Sequence, residues 1–412
     1  MRLFIFLLFY AIAIGIDIYA FQSVNTVFKN RKAWKYKLFS FFYWGVTVFV
    51  FLSFFAYFLL GQEKLPINFR IISGSLFFIF LLSKLFAIVW LLGEDIYRVF
   101  DFGIRKITGN QQVEFKSRRG AVSKIAIASA MLPFSMLTYG IVVNGHRFKF
   151  YNQKIMIPNL PKSFEGFKIV QLSDIHAGSF TRMNPIEKAV EDINDLNPDL
   201  IVFTGDLVND LAREMKYLKN IFGRLRAKYG VLSITGNHDY GDYYYGREPS
   251  AEKEQNFADF IDVHQQMGWD LLMNENRILQ KGNDKLAIVG IENWGKSQYF
   301  PRYGNMEKAL KGCEEVYTKI LLSHDPSHWD EEILPKYKNI ALTLAGHTHG
   351  FQFGIETKKY KWSPSQYAYP RWAGLYKENN QQIYVNRGFG FTGYPGRLGI
   401  LSEISVIELT GI

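Results

Sequence analysis

Asp174 and His176 stand two residues apart, just past an apolar run of strand length, Lys168-Ile169-Val170-Gln171-Leu172. On an extended chain, residues i and i+2 face the same side. A carboxylate oxygen and an imidazole nitrogen can then reach one point, which makes a ligand pair for a divalent transition metal. Such a pair is common by chance, and its weight comes from the residues downstream of it. Ile201-Val202-Phe203-Thr204 runs into Gly205-Asp206, and Leu232-Ser233-Ile234-Thr235 into Gly236-Asn237-His238-Asp239. Ile320-Leu321-Leu322 runs into Ser323-His324-Asp325-Pro326, and Leu342-Thr343-Leu344-Ala345 into Gly346-His347-Thr348-His349-Gly350. Ligands of an open α/β sheet gather outside the carboxyl ends of its strands. The glycines let the backbone turn sharply and come close to a centre.

Asp174, His176, Asp206, Asn237, His324, His347 and His349 make seven candidate ligands. If one aspartate bridges, seven residues give four protein ligands to each of two ions. A two-metal centre about 3.5–4 Å across is a tool for in-line displacement at phosphorus. Two divalent ions less two carboxylates and a hydroxide leave roughly +1, a charge suited to a phosphate anion. Water bound to such ions ionises near pH ~7 and supplies the nucleophile. Nitrogen and oxygen ligands without thiolate suit Mn, Fe or Zn.

The elements needed to place these residues are legible as alternating strands and helices. Strands are expected at 167–172, 199–204, 231–235, 277–279, 286–291, 319–322 and 339–344. Helices are expected at 185–195, 214–229, 251–266 and 306–317, followed by a mostly β tail at 383–385 and 403–409. Strands spaced by helices at this interval are the βαβ rhythm. The single cysteine, Cys313, falls in the last of these helical runs and cannot form an internal disulfide.

Residues 1–144 read differently. They hold 16 Lys+Arg against 6 Asp+Glu, whereas residues 145–412 hold 32 against 32, so the whole excess of +10 lies in the first third. A neutral second part argues against a nucleic-acid surface, which needs clustered Lys/Arg; no nucleic-acid partner is expected. Apolar blocks at 3–21, 38–60, 71–92 and 121–143 are each about 20 residues, long enough to cross a membrane as helices. Asp17 and Lys84 interrupt two of them, as functional intramembrane charges or as a pair within the bundle. Loop 22–37 carries Lys29, Arg31, Lys32, Lys35 and Lys37, and loop 93–120 carries six more basic residues, against Lys64 and Arg70 in loop 62–70. The positive-inside bias puts the first and third loops in the cytoplasm. Residues 145–412 are then expected on the non-cytoplasmic face. Ser117-Arg118-Arg119-Gly120 reads as anchoring charge rather than a twin-arginine signal, since three spans precede it.

Ser-Asp-Ile-His, Gly-Asp, Gly-Asn-His-Asp, a later Ser-His and Gly-His-Thr-His, in this order, resemble the calcineurin-like metallophosphoesterases over about 167–410. The resemblance implies a two-sheet α/β sandwich with a dinuclear site at its edge, here preceded by an all-α membrane region of four helices. It implies one metal on Asp174, His176, Asp206 and His349, and a second on bridging Asp206, Asn237, His324 and His347. His238 would face the phosphate as a general acid, with Asp239 orienting it; a histidine beside a carboxylate is a tuned acid on general grounds too. Gly374-Leu375-Tyr376, Val385-Asn386-Arg387-Gly388 and Arg397-Leu398 resemble the membrane-tethered bacterial branch, which has one short anchor rather than four spans.

Arg387 is a candidate contact for a substrate phosphate. Tyr243 and Tyr244, in the run Tyr240-Gly241-Asp242-Tyr243-Tyr244-Tyr245, leave the rim of the site and are candidate substrate contacts. Tyr360, Trp362, Tyr367, Tyr369, Trp372 and Tyr376 come after the Gly-His-Thr-His segment, and Tyr and Trp favour membrane interfaces. His264 reads as a structural helix residue, and the glycines at 388, 390 and 393 as a loop with no helix after it. The function expected is a membrane-anchored, dinuclear metal-dependent phosphohydrolase acting on a phosphate ester or diphosphate of an amphiphilic or lipid-linked substrate. The alternatives are a phosphodiesterase on soluble nucleotides with the membrane as tether, and an inactive membrane sensor or scaffold. An inactive relative would have lost a ligand or His238, and none is missing.

Overall fold

The structure, a computed structural model, describes residues 2–28, 33–61, 65–108, 116–300, 302–357 and 359–411. Lys29, Arg31, Lys32 and Lys64, which contribute to the loop charges, lie outside the described residues. The chain forms two compact units, Met1–Tyr139 and Gly140–Ile412.

The first unit is built from α1 (Arg2–Phe28), α2 (Ala33–Leu60), α3 (Ile67–Thr108) and the start of α4 (Lys116–Val142). All four are long and apolar enough to cross a membrane. Their outer faces display large apolar side chains such as Leu52, Val89 and Phe41, which suits hydrocarbon rather than water. Asp17 and Lys84 meet inside this unit: Lys84 Nζ lies 2.5 Å from Asp17 Oδ1 and donates to Thr47 Oγ1 at 3.3 Å. The two interrupting charges therefore neutralise one another across α1 and α3. At 42 residues α3 outruns a bilayer, and the charges of its extension pair locally, Arg98 with Glu94 four residues earlier at 2.7 Å. Arg119 of α4 joins them, 2.5 Å from Glu94 and 2.7 Å from Asp95.

The second unit is a sandwich of two six-stranded mixed sheets. Its strands are β1 (Phe148–Met156), β2 (Lys168–Leu172), β3 (Leu200–Thr204), β4 (Val231–Ile234), β5 (Asp270–Leu271), β6 (Glu275–Lys281) and β7 (Asp284–Gly290). They continue with β8 (Lys319–Leu322), β9 (Ile340–Ala345), β10 (Ile355–Glu356), β11 (Lys361–Trp362), β12 (Gly374–Glu378), β13 (Gln381–Val385) and β14 (Ser402–Thr410). One sheet has the order β1-β14-β2-β3-β4-β5, the other β12-β13-β9-β8-β7-β6, and β10-β11 is a small hairpin apart. Ile169, Leu200, Val202, Leu232 and Ile234 of the first sheet pack on Ile288, Ile320, Leu322, Leu342 and Leu344 of the second. The outer faces are covered as well. On the first sheet α5 (Asn184–Asp195) and α8 (Ala251–Met267) lay Ile186, Val190, Ile193, Phe260 and Met267 over Val170, Ile201 and Phe203. Burial on both faces is why β2, β3, β8 and β9 are nearly unbroken apolar runs.

Two helices are shorter than expected. The run 214–229 breaks into a 3-10 turn, Ala212–Lys216, and one turn of helix, α6 (Lys219–Phe222), which stops at Gly223. The run 306–317 is helical only over α9 (Met306–Leu310); Gly312 at φ +90° turns the chain away, and buried Cys313 comes after that turn. The strand β1 carries no clear sequence signal, because Lys149, Asn152, Gln153 and Lys154 dilute its apolar positions. It is an edge strand running parallel to β14, where polar residues meet solvent and discourage further pairing.

Candidate metal centre

Each candidate ligand lies in the first few residues beyond the carboxyl end of a parallel strand: Asp174 and His176 after β2, Asp206 after β3, Asn237 after β4, His324 after β8, His347 and His349 after β9. Hydrogen bonds sew these loops together past the sheets. Asp174 N donates to Gly205 O at 2.9 Å, His176 N to Asp206 O at 3.1 Å, and Gly346 N to His324 O at 2.9 Å. Phe389 N and Gly390 N donate to Ser173 O and Asp174 O at 2.8 Å each.

Asp174 and His176 do converge, but not as an extended pair. Asp174 (φ +53°), His176 (+48°), Asp206 (+60°), His347 (+70°) and His349 (+52°) all occupy the left-handed region. Non-glycine residues there are strained, and such strain persists only where surrounding structure imposes it. The left-handed residues curl each loop over the strand end, turning successive side chains to one centre. Gly346 permits a close approach, since a Cβ there would overlap Ser173 Oγ and Asp174 Oδ2.

Three three-residue groups result among the described residues, Asp174/His176/His349, Asp206/His324/His347 and, between them, His176/Asp206/His238, each with ligand atoms close enough to hold one ion. His349 Nε2 lies 3.2 Å from Asp174 Oδ1 and 2.9 Å from His176 Nε2. His324 Nε2 lies 3.1 Å from Asp206 Oδ2 and 3.2 Å from His347 Nδ1. Asp206 Oδ2 is also 3.5 Å from His176 Nε2, so one carboxylate reaches both groups. Asn237 turns its Nδ2 to Tyr243 Oη at 2.9 Å and leaves a buried Oδ1 with no hydrogen-bond partner among the described residues. An orphaned amide oxygen and ring nitrogens facing one another are what ligands look like around a cation. His324 shows the matching outer partner: Nδ1 donates to Thr204 O at 2.7 Å, fixing the lone pair of Nε2 toward Asp206. The residues fit a metal.

Four of the candidate ligands, His176, His347, Asp174 and Asp206, hold the protonation that a metal needs. Burial, then the neighbouring His349, holds His176 well below the usual histidine range, and burial lowers His347, so both rings are neutral near pH 7. Burial alone would raise Asp174 and Asp206, but His349 beside the one and His324 beside the other hold both carboxylates below their usual range. His324 is the exception: burial opposes its charge, but Asp206 outweighs burial and pushes the ring up to about 10, a proton that a metal ion at Nε2 would replace.

The ring of His238 joins the group of His176 and Asp206, and its backbone N donates to Asp206 Oδ1 at 2.8 Å. Its Nδ1 meets the carbonyl of Asn209 at 2.6 Å. Asp239, expected to orient this ring, does something else. Its carboxylate accepts from the backbone N of Asp206 at 2.9 Å, Leu207 at 2.8 Å and Gly236 at 2.8 Å, and so braces the loop that carries Asp206. Arg387 is likewise elsewhere: it is buried, with Nη1 2.6 Å from Glu403 and Nη2 2.5 Å from Glu356, so its guanidinium is committed to two carboxylates. Tyr243 packs on His238 with ring centroids 4.4 Å apart, while Tyr244 packs on Tyr245 at 4.7 Å. Of the two tyrosines only Tyr243 meets the cluster among the described contacts.

Sequence reasoning passes over three partners. Asn209 acts through its carbonyl, which every residue has, so no side-chain signal exists. Asp325 Oδ2 stands 3.7 Å from His347 Nε2, and Tyr369 Oη 2.7 Å from the same atom. Asp325 stands beside a ligand in the chain, but Tyr369 is 22 residues from His347 and only the fold joins them.

Comparison with known proteins agrees with this geometry. Residues 167–351 match the family model for the calcineurin-like phosphoesterase domain, and residues 1–145 match a model described as a probable calcineurin-like phosphoesterase transmembrane domain. A transmembrane protein with metallophosphoesterase domain from Danio rerio is 28% identical over 325 residues, 76% of this chain and 70% of that protein. Its namesake from Bos taurus is 31% identical over 266 residues, 62% of this chain and 56% of that protein. The UDP-2,3-diacylglucosamine pyrophosphatase LpxG of Chlamydia trachomatis is 28% identical over 278 residues, 56% of this chain and 81% of that protein.

Proposed function

Since the chain belongs to the calcineurin-like metallophosphoesterases and is a membrane-associated hydrolase of phosphate-containing substrates, we propose that it is a dinuclear phosphohydrolase acting on the phosphate ester or diphosphate of an amphiphilic substrate. The observation that carries the reading is the convergence of six candidate metal-binding side chains, from four loops, in two groups that the carboxylate of Asp206 reaches together. Asp174, His176, Asp206 and His349 would hold one ion, and Asp206, Asn237, His324 and His347 the other, as Mn, Fe or Zn. Such ions supply a hydroxide near neutral pH and charge to meet the phosphoryl oxygens.

The remaining work falls to the chain. Asn209 O anchors the proton on His238 Nδ1, which leaves Nε2 free to hold a second proton and pass it to the leaving oxygen. Asp239 holds the Asp206 loop through the backbone N–H groups of Asp206, Leu207 and Val208 and ties it to that of Gly236, so the carboxylate that would bridge the ions keeps its position as charge builds up. The ring of Tyr243 closes one side of the acid.

Two observations favour an amphiphilic substrate over a soluble nucleotide. The loop that leaves His349 exposes Phe351 (63%), Ile355 (54%), Tyr360 (57%) and Tyr367 (79%), an apolar stretch unusual on a water-soluble surface. The LpxG relative is named for cleaving a diphosphate that carries acyl groups. The test is turnover of matched phosphodiesters and diphosphates with and without acyl chains by the metal-loaded protein in detergent. Acyl-bearing substrates should show the higher kcat/KM, about tenfold or more if a few methylenes are buried. Equal turnover of nucleotides and their acylated counterparts would leave the membrane as a tether alone.

A further inference from the structure

Two tyrosines hydrogen-bond to residues that, on the phosphohydrolase reading, ligate the same ion. Asn237 Nδ2 donates to Tyr243 Oη at 2.9 Å, and Tyr369 Oη lies 2.7 Å from His347 Nε2. The ligands fix the direction of each bond. An amide nitrogen has only hydrogens to offer, so Tyr243 Oη must accept. His347 turns Nδ1 toward His324 Nε2, 3.2 Å away, so a metal held by this group would take the Nδ1 lone pair and leave the ring proton on Nε2. Nε2–H then donates, and Tyr369 Oη accepts. Among the described residues each phenol is then left with its own O–H unspent.

We infer that Tyr369 and Tyr243 form a pair of neutral hydrogen-bond donors for the phosphoryl oxygen of the substrate, with their ring oxygens fixed by His347 and Asn237. The two side chains come from unrelated parts of the chain, Tyr243 from the short helix α7 (Asp242–Tyr245) and Tyr369 from the segment before β12. Their rings flank the outward histidines, Tyr243 against His238 at 4.4 Å and Tyr369 against His347 at 5.2 Å. Tyr243 is half exposed, so a ligand can reach it. The cation that the sequence offers for this role, Arg387, is already spent on Glu403 and Glu356. Phenols in its place supply directed hydrogen bonds without adding charge. The inference rests on the phosphohydrolase reading and names two substrate contacts within it.

The test uses the full-length, metal-loaded protein in detergent and compares wild type with Tyr369→Phe, Tyr243→Phe and the double variant. Phenylalanine keeps each ring and its packing and removes only the oxygen. Metal content is measured by elemental analysis and inorganic phosphate binding by calorimetry. Each single variant should keep wild-type metal content and bind phosphate about tenfold more weakly, the effect of one hydrogen bond to an anion. The double variant should lose about a hundredfold, two such bonds acting together. Unchanged phosphate affinity would show that the hydroxyls only support the ligands, and loss of metal in Tyr369→Phe would show that it positions His347; either result overturns the inference. If wild-type protein takes up metal yet neither binds phosphate nor hydrolyses any ester, the phosphohydrolase reading fails and this inference with it. If wild type does both and the variants match it, only the tyrosine roles are lost.

Discussion

Asp206 is where the two ligand groups meet, with Oδ2 within 3.5 Å of His176 and 3.1 Å of His324 while Oδ1 accepts from the backbone of His238. Asp206→Asn keeps the shape and removes the charge that both ions would share. It should lower metal content and cut turnover more deeply than any other single ligand change. His238→Ala should cut turnover by about 10²–10⁴, the usual worth of a general acid, while elemental analysis finds the metal intact. If metal leaves with His238, the ring is a ligand, as its place beside His176 and Asp206 would then mean.

At the scale of elements, the strands deliver the ligands and the helices keep the strands buried. The helix α8 carries a titratable group in that buried layer. Ser250 caps its start by accepting from Lys253 N, and Gly268 at φ +72° ends it. His264 sits on its inner face against Phe260 and Trp269, Nδ1 bonded to Phe260 O at 3.0 Å and Nε2 buried without a partner. Burial lowers this ring from 6.5 to about 4, the Phe260 carbonyl only partly opposing it. The native state therefore favours the neutral ring. The stability this gives is complete above pH 6.5 and is lost as pH falls toward 4, by about 2 kcal/mol at pH 5. His264→Phe keeps an aromatic ring in place and should flatten the fall in melting temperature between about pH 7 and pH 5. An acid limb as steep as that of wild type would place the sensitive group elsewhere.

For the whole molecule, function turns on which side of the membrane holds Gly140–Ile412. Loops 22–37 and 93–120 carry 5 + 6 = 11 Lys/Arg against 2 in loop 62–70. That bias favours a catalytic unit outside the cytoplasm. A reporter active only in the cytoplasm, fused after Ile412, should be silent. A strong signal would reverse the orientation and move the substrate pool to cytoplasmic nucleotides and lipid precursors. The pairing of Asp17 with Lys84 makes four spans electrically tolerable, since neither charge meets hydrocarbon alone.

Four helices long and apolar enough to cross a membrane, most of the sandwich strands and the residue types of the candidate site could be read along the chain, because each depends on local pattern. Apolar length marks a span, an unbroken apolar run marks a strand buried on both faces, and metal-binding residue types just past a strand mark a site. Partners brought together by the fold left no such pattern. Asn209 holds His238 through a backbone carbonyl, Asp239 turns from its sequence neighbour to four backbone amides, and Arg387 is claimed by Glu356 and Glu403. Tyr369 reaches His347 only because the chain after β11 returns to the site. The left-handed φ angles of Asp174, His176, Asp206, His347 and His349 belong to the same class. Asp and His enter that region more readily than most residues, but no local pattern demands it here; the angles exist because packed sheets and loop-to-loop hydrogen bonds outweigh the local strain at each one.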